Sequence, residues 1–324
     1  MSELLLGGFV LATWLLSVRL AAPACLAIGA RLSARLRHSS AAWAGLALLP
    51  IAVGTAVALS LISPASILGG CHCLSHPHHL HLCFDHVGFS WLLVVAACGA
   101  VCGLAPSFRA LLRVLDDARA TARWMRRVGG GLERAGGFTI TSELGANAAT
   151  VGLFAPRIVV GRPLWSRLDA SSRAAVIEHE RAHASRRDPL TLACLQLATC
   201  FMSARSGRGL VERWRLAAEL ECDRIAAHRL GDPLLLATAL VECGRAQAAP
   251  QAAPPFGMMA ASAGDDLDLR VRYLVHGSTV PAARSRKSDL WLVAVALVAA
   301  VLSATALGGT SAHHAAETVL GWLT

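Results

Sequence analysis

"VIEHERAHASRRDP", Val176–Pro189, is the stretch on which the reading of this chain turns. Asp169 stands ahead of it as a helix N-cap, and strong helix formers follow through Ala184. On such a helix residues four apart share a face, so His179 and His183 can present both imidazoles to one tetrahedral ion. Glu180 lies one residue round, within reach of a water at that ion, where a general base belongs. The pentapeptide alone does not decide the matter, because H-E-x-x-H strings also occur in helices that hold no metal. Its surroundings add weight. Ala174, Ala175, Val176, Ile177 and Ala182 make this a core helix, and two histidines and a glutamate on a core helix need polar partners.

A second helix offers them. "AAELECDRIAAHRLG", Ala217–Gly231, carries Glu219 as a candidate third ligand and Asp223 as a carboxylate able to hydrogen-bond a ligand imidazole. Gly231 is its C-cap. The competing account makes these acids a solvated face paired with Arg215 and Arg224. Trp214, Ala218, Cys222 and Ile225 form the apolar stripe, and Glu219 and Glu221 both flank it, so periodicity leaves the choice of ligand between them open. Asp188 is expected to cap the helix that follows, with Pro189 at its first position. That helix, within Asp188–Met202, is apolar but short for a span, and fits a core or membrane-surface helix.

Composition places this site in a membrane protein. The 324 residues are 55% hydrophobic and 16% charged, with a mean hydropathy of +0.52, too apolar for a soluble domain of this size. Four segments approach the roughly 20 apolar residues that a spanning helix needs: residues 4–30, 41–62, 87–105 and 288–308. The first begins "MSE", acidic where a cleaved signal is basic, and is expected to be a retained anchor. Arginines orient the spans. Arg31, Arg35 and Arg37 follow the first; Arg109 to Arg127 follow the third; Arg284, Arg286 and Lys287 precede the fourth. The loop 63–86 and the tail 309–324 carry neither Lys nor Arg. Both termini and the loop are therefore expected outside, and residues 106–287 in the cytoplasm, with a flexible Ala/Pro-rich linker at 246–266. The net charge of +9 belongs to these flanks. The arginines lack interleaved aromatics, Tyr273 being the single tyrosine, so direct nucleic-acid binding is not expected. Contact with anionic lipid is.

The external loop has its own chemistry. Cys71, His72, Cys73, His76, His78, His79, His81, Cys83 and His86 lie within sixteen positions, a density at which thiolate and imidazole suit copper or zinc. A Cys73–Cys83 disulfide is the alternative. The other seven cysteines are scattered and make no framework. Bound metal between the second and third spans would be an input to the cytoplasmic part if it favoured one helix arrangement.

Taken together, "VIEHERAHASRRDPL" and "ELECDRIA" resemble the BlaR/MecR antirepressor family of integral membrane zinc metallopeptidases. "TVGLFAPRIVVGRPLW" is similar to the strand and turn ahead of its metal helix. The resemblance is motif-level over about residues 150–230 and architectural over most of the chain. It implies a mainly α membrane protein of four transmembrane helices, with a cytoplasmic α+β zincin-like peptidase domain between spans 3 and 4. It implies one catalytic Zn2+ on His179, His183 and Glu219, with Glu180 as general base and Asp223 in support, and it selects Glu219 over Glu221. It further implies a signal-responsive endopeptidase of the bacterial cytoplasmic membrane that cuts a winged-helix repressor. The family's antibiotic sensors add a penicillin-binding domain with an S-x-x-K motif. Here Lys287 has Arg284 three residues before it, so that motif does not occur. A housekeeping membrane protease and a non-catalytic metal-binding protein are the other readings of the same residues. A substrate is expected to add as a strand along "PRIVV", Pro156–Val160.

Overall fold

The metal-binding helix expected from sequence is held between a small sheet and a helical layer that reaches into the apolar helices. The computed structural model describes residues 2–36, 39–61, 91–129, 133–135, 137–246, 258–260 and 265–276. The helices are α1 (Ser2–Arg31), α2 (Ser33–Leu36), α3 (Ser40–Leu61), α4 (Trp91–Gly129), α5 (Arg162–Arg167), α6 (Ala170–Arg186), α7 (Asp188–Thr199), α8 (Ala204–Leu230), α9 (Pro233–Ala246) and α10 (Asp265–Val275). The strands are β1 (Glu133–Ala135), β2 (Phe138–Thr141), β3 (Ala148–Val151), β4 (Arg157–Gly161) and β5 (Met258–Ala260).

Among the described residues α1, α3 and α4 are long and apolar enough to cross a membrane. The expected fourth span at 288–308, the Cys/His loop at 63–86 and the tail at 309–324 lie outside the described residues. Close packing of α1 on α3 depends on a missing side chain: a Cβ at Gly29 would run into the Trp43 ring. Arg19, a charge within α1, donates from Nη2 to the Gly103 carbonyl of α4 at 2.6 Å, which ties the two helices together. Sequence ends the third span at residue 105, but α4 continues through Pro106 for 39 residues in all, about 58 Å of helix. Its arginine-bearing half is made of good helix formers. Its end is held where Trp124 and Met125 pack on Leu144, Ala149, Val151 and Val159 of the sheet region.

The sheet order is β1-β2-β4-β3-β5. β2 and β4 run parallel, with Phe138 opposite Ile158; β3 is antiparallel to β4, with Ala149 opposite Val159. Gly161 ends β4 where its N–H donates to the Asn147 carbonyl at 2.7 Å, and a Cβ there would overlap the Gly145 carbonyl oxygen. Two expectations change here. The free edge expected at Pro156–Val160 does not exist, because β4 is flanked by β2 and β3. Its run of Ile158, Val159 and Val160 is buried on both faces, the mark of an interior strand. The linker expected at residues 246–266 contains a strand, Met258–Ala260, which pairs antiparallel with β3, Thr150 opposite Met259. Composition hides a strand this short.

Two cores lie on either side of α8. One joins Ile158 and Val160 of the sheet to Val176 and Ile177 of α6, Leu236 and Leu240 of α9, and Leu274 of α10. The other joins Leu192 and Leu195 of α7 and Leu210, Trp214 and Ala218 of α8 to Val18 and Ala22 of α1 and Trp43, Ala44 and Ala47 of α3. The apolar run after Asp188 is thus a core helix, and the core it fills is shared with the helices that could span a membrane.

Candidate metal centre

α6 forms as its sequence predicts. Asp169 Oδ1 accepts from the Ser172 N–H at 2.7 Å, and the cap holds the Asp169 carboxyl below its usual pKa through that bond. The helix ends at Arg187, which takes the left-handed conformation at φ 53°, unusual for a residue with a side chain. That turn folds the chain back so sharply that Asp188, at the first position of α7, faces α6.

His179, His183 and Glu219 come together as one buried group. The two Nε2 atoms are 3.1 Å apart. Glu219 Oε2 lies 3.3 Å from His179 Nε2, and Oε1 lies 3.5 Å from His183 Nε2. A zinc ion about 2.0–2.1 Å from each ligand in tetrahedral geometry separates its ligands by roughly 3.3 Å, so the three donors fit one face of such a site. Glu219 Oε2 is buried and faces cationic or ligating groups alone, His179 Nε2 and the Arg270 guanidinium, the latter at 3.0 Å. The other nitrogen of each imidazole meets a carboxylate: His179 Nδ1 is 2.9 Å from Asp223 Oδ1, and His183 Nδ1 is 2.8 Å from Asp188 Oδ2. Such carboxylate partners fix the tautomer and aim the ligating nitrogen.

Glu180 is 1% exposed. Thr150 Oγ1 of β3 lies 2.7 Å from its Oε2 and 2.9 Å from its carbonyl oxygen, with one proton to share between them. A cavity of about 10 Å³ opens beside His179 and Glu180, lined otherwise by Ala148, Val176, Leu236, Ala239, Leu240 and Cys243. That is about the room one water needs.

Arg270 of α10 compensates the acids. Its guanidinium donates to both oxygens of Asp223, Nε to Oδ2 at 2.7 Å and Nη2 to Oδ1 at 2.8 Å, and Nη1 lies 3.0 Å from Glu219 Oε2. Burial alone would raise the Glu219 pKa, but Arg270 and the imidazoles hold it well below the usual carboxylate range. Burial opposes a proton on His179, yet Asp223 and Glu219 outweigh it and its pKa stands raised. For His183 burial is likewise outweighed, by Cys222, Glu219 and Asp188, and the pKa stands well above the usual imidazole value. Glu180 is raised chiefly by burial, the direction that makes a carboxylate a better base near neutral pH.

Sequence brings His179, Glu180, His183, Glu219 and Asp223 into question, and the fold brings all five together. It also separates Glu221 from the group: that carboxylate accepts from the Ser40 N–H at 2.7 Å and pairs with Arg186. Asp188 differs from its expected role. The N-cap of α7 is Arg187, without a side-chain capping bond, and the turn there directs the Asp188 carboxylate to His183 and to Arg186 Nε at 3.1 Å. Arg215 and Arg224, weighed as partners for the acids, give way to Arg270. Thr150 and Arg270 carry no signal in sequence, standing 30 and 47 positions from the residues they bond. The nine Cys and His residues of the 71–86 stretch lie outside the described residues.

Two imidazoles, a carboxylate and an adjacent buried glutamate are the constellation of a zinc metallopeptidase. Comparison with known families agrees: residues 138–247, about a third of the chain, match the model of peptidase family M48. No curated protein and no solved structure matches. The match covers β2 to β4, α5 through α9, and every site residue named above except Asp223's partner Arg270.

Proposed function

We propose that this protein is an integral membrane zinc endopeptidase acting on a cytoplasmic protein. The observation that carries the reading is the convergence of His179, His183 and Glu219 beside Glu180, in a domain whose second core is shared with α1 and α3. His179 Nε2, His183 Nε2 and a Glu219 carboxylate oxygen would hold the ion. When bound, zinc supplies Lewis-acid activation of water and of a peptide carbonyl. Thr150 holds Glu180 by Oε2, leaving Oε1 to take the proton of the attacking water and return it to the departing amine. Asp223 and Asp188 keep the two imidazoles aimed.

Within that class the resemblance to the BlaR/MecR antirepressors favours a winged-helix repressor as substrate, cut in response to a signal. The loop Cys71–His86, taking copper or zinc on the outer face, is the proposed input. A general membrane protease is the second reading, favoured by the match to a peptidase family rather than to antirepressors. Cells carrying wild-type protein or Glu180→Gln separate these by quantitative proteomics. Accumulation of one DNA-binding repressor in the variant supports the first, and accumulation of many membrane proteins supports the second. A general base contributes about 10²–10⁴-fold, so Glu180→Gln should bind zinc yet lose on the order of 100-fold or more in turnover. Unchanged turnover would exclude Glu180 as the base, and absence of proteolysis in wild type and variant alike, with zinc bound, would leave a non-catalytic metal protein. Reporter fusions at residues 75 and 250 should show opposite sidedness, and equal sidedness would end the case for a cytoplasmic substrate.

A further inference from the structure

The first turn of α3 is joined to the candidate metal centre by buried polar side chains that the peptidase chemistry above does not use. Glu221 of α8 caps α3 from outside the helix: Oε1 accepts from the Ser40 N–H at 2.7 Å and Oε2 from Ser40 Oγ at 3.1 Å. A carboxylate there satisfies an amide that a helix N-terminus cannot bond internally and meets the positive end of its dipole. Arg186, the last residue of α6, joins this cap to the site. Its Nη2 donates to Ser40 Oγ at 2.9 Å, its Nη1 pairs with Glu221, and its Nε donates to Asp188 Oδ2 at 3.1 Å. Asp188 Oδ2 in turn meets His183 Nδ1. The chain of contacts is enclosed: the side chains of Arg186 and Glu221 are 6% and 11% exposed, and that of Asp188 is 0%.

We infer that Arg186, Glu221 and Ser40 are positioning residues for His183, so that the strength and geometry of metal binding depend on how the start of α3 is seated against the peptidase domain. This rests on the reading of His179, His183 and Glu219 as zinc ligands. Asp188, with Cys222 Sγ at 3.3 Å from the same Nδ1, sets the orientation of the His183 ring, and a carboxylate keeps its direction only if its own partners are fixed. Arg186 supplies that partner as a planar fork, with three fixed nitrogens serving three groups at once, which a point charge cannot reproduce. Two arms of this buried guanidinium are seated by Ser40 and Glu221. A shift of α3 relative to α8 therefore moves Arg186, then Asp188, then the imidazole.

The test uses the full chain purified in detergent micelles, with zinc affinity read by competition against a chromophoric chelator and ligand geometry by the visible absorption of the Co2+-loaded protein. Removing an outer partner of a ligating histidine costs about 10–100-fold in metal affinity, so Arg186→Met is expected to weaken zinc about tenfold and to change the Co2+ bands. Ser40→Ala is expected to weaken it about threefold, and to have no further effect in the Arg186→Met background, since residues acting through one network are non-additive. Arg186→Lys, which keeps the charge and loses the fork, should recover only part of the affinity, and with Ser40→Ala it carries the test if Arg186→Met fails to show wild-type helicity. Zinc affinity within about twofold of wild type for Arg186→Met and Arg186→Lys overturns the inference. So do Ser40→Ala and Arg186→Met effects that simply multiply. In both cases His179→Ala still abolishes stoichiometric zinc and the peptidase reading stands. A wild-type protein that binds no zinc overturns both.

Discussion

Replacing Arg270 with Met should destabilise the protein more in the absence of zinc than in its presence. The guanidinium makes two charge-assisted bonds to Asp223, at 2.7 and 2.8 Å, and a 3.0 Å contact to Glu219. Its side chain and that of Asp223 are at most 1% exposed, and Glu219 is at 8%. Methionine fills a similar volume and leaves two buried carboxylates with the imidazoles of His179 and His183 in place of the guanidinium. Breaking a buried pair by removing one partner costs about 3–5 kcal/mol. For a domain of about 150–250 residues each kcal/mol is worth roughly 2–4 °C, so the metal-free variant should melt about 6–20 °C below wild type. Bound zinc would itself offset the Glu219 charge and leave mainly the Asp223 part of the loss. Thermal unfolding of both proteins in micelles, with chelator and with zinc, reads this directly. A metal-free difference below about 2 °C, or an equal difference in the two conditions, would show that Arg270 is not the counter-ion of this site.

Three further outcomes can be checked. Thr150→Val removes the hydroxyl bonded to Glu180; a hydrogen bond to a charged group is worth about 1.5–3 kcal/mol, so the acid limb of the pH–rate profile should move up by about one to two pH units. Burial already raises the Glu180 pKa, and losing the bond raises it further. In metal-free protein His179 and His183 have raised pKa values. Their contribution to stability is therefore complete below the unfolded imidazole pKa of about 6.5 and is lost as pH rises through the folded values. Zinc binding requires the neutral rings and should strengthen over that same rise, so melting curves with and without zinc should diverge with increasing pH. Arg187→Gly should leave the melting temperature nearly unchanged, the relief of left-handed strain being offset by unfolded-chain entropy. Arg187→Val should cost a further ~1–2 kcal/mol and weaken zinc by displacing Asp188; equal melting temperatures for the two variants would remove any role for that turn.

The pair of helices that carries the site is legible in the sequence because local rules govern it. Asp169 caps α6, a four-residue repeat aligns His179 with His183, and Gly231 closes α8 at φ 70°. The choice of Glu219 over Glu221 is not legible from periodicity, because α8 is buried on two sides and its apolar stripe does not single out one face. What decides it is a long-range contact, the seating of Glu221 on Ser40 from 181 positions away. Asp188 reads as a cap because capping follows from sequence neighbours, whereas its actual partner depends on one left-handed residue before it. The interior place of β4 is hidden for the same reason: a run of branched residues shows a buried strand, but only the pairing of β2 and β3 to either side shows that it has no free edge. Arg270 lies beyond an Ala/Pro-rich stretch with no periodic link to the site.

That last separation has a consequence for how the protein is made. His183 and Arg270 are 87 positions apart by residue number, roughly 4–17 s of synthesis at about 5–20 residues per second. During that interval Glu219 and Asp223 are made without Arg270, while Leu192, Leu195, Leu210 and Trp214 of α7 and α8 already have α1 and α3 to pack against. The nascent domain thus has α1 and α3 to pack against first, and the acids of its candidate metal site gain the Arg270 guanidinium only when α10 arrives. A chain cut off before Asp265 would lack the guanidinium that donates to both Asp223 oxygens, so truncation there should lower stability in the same direction as Arg270→Met.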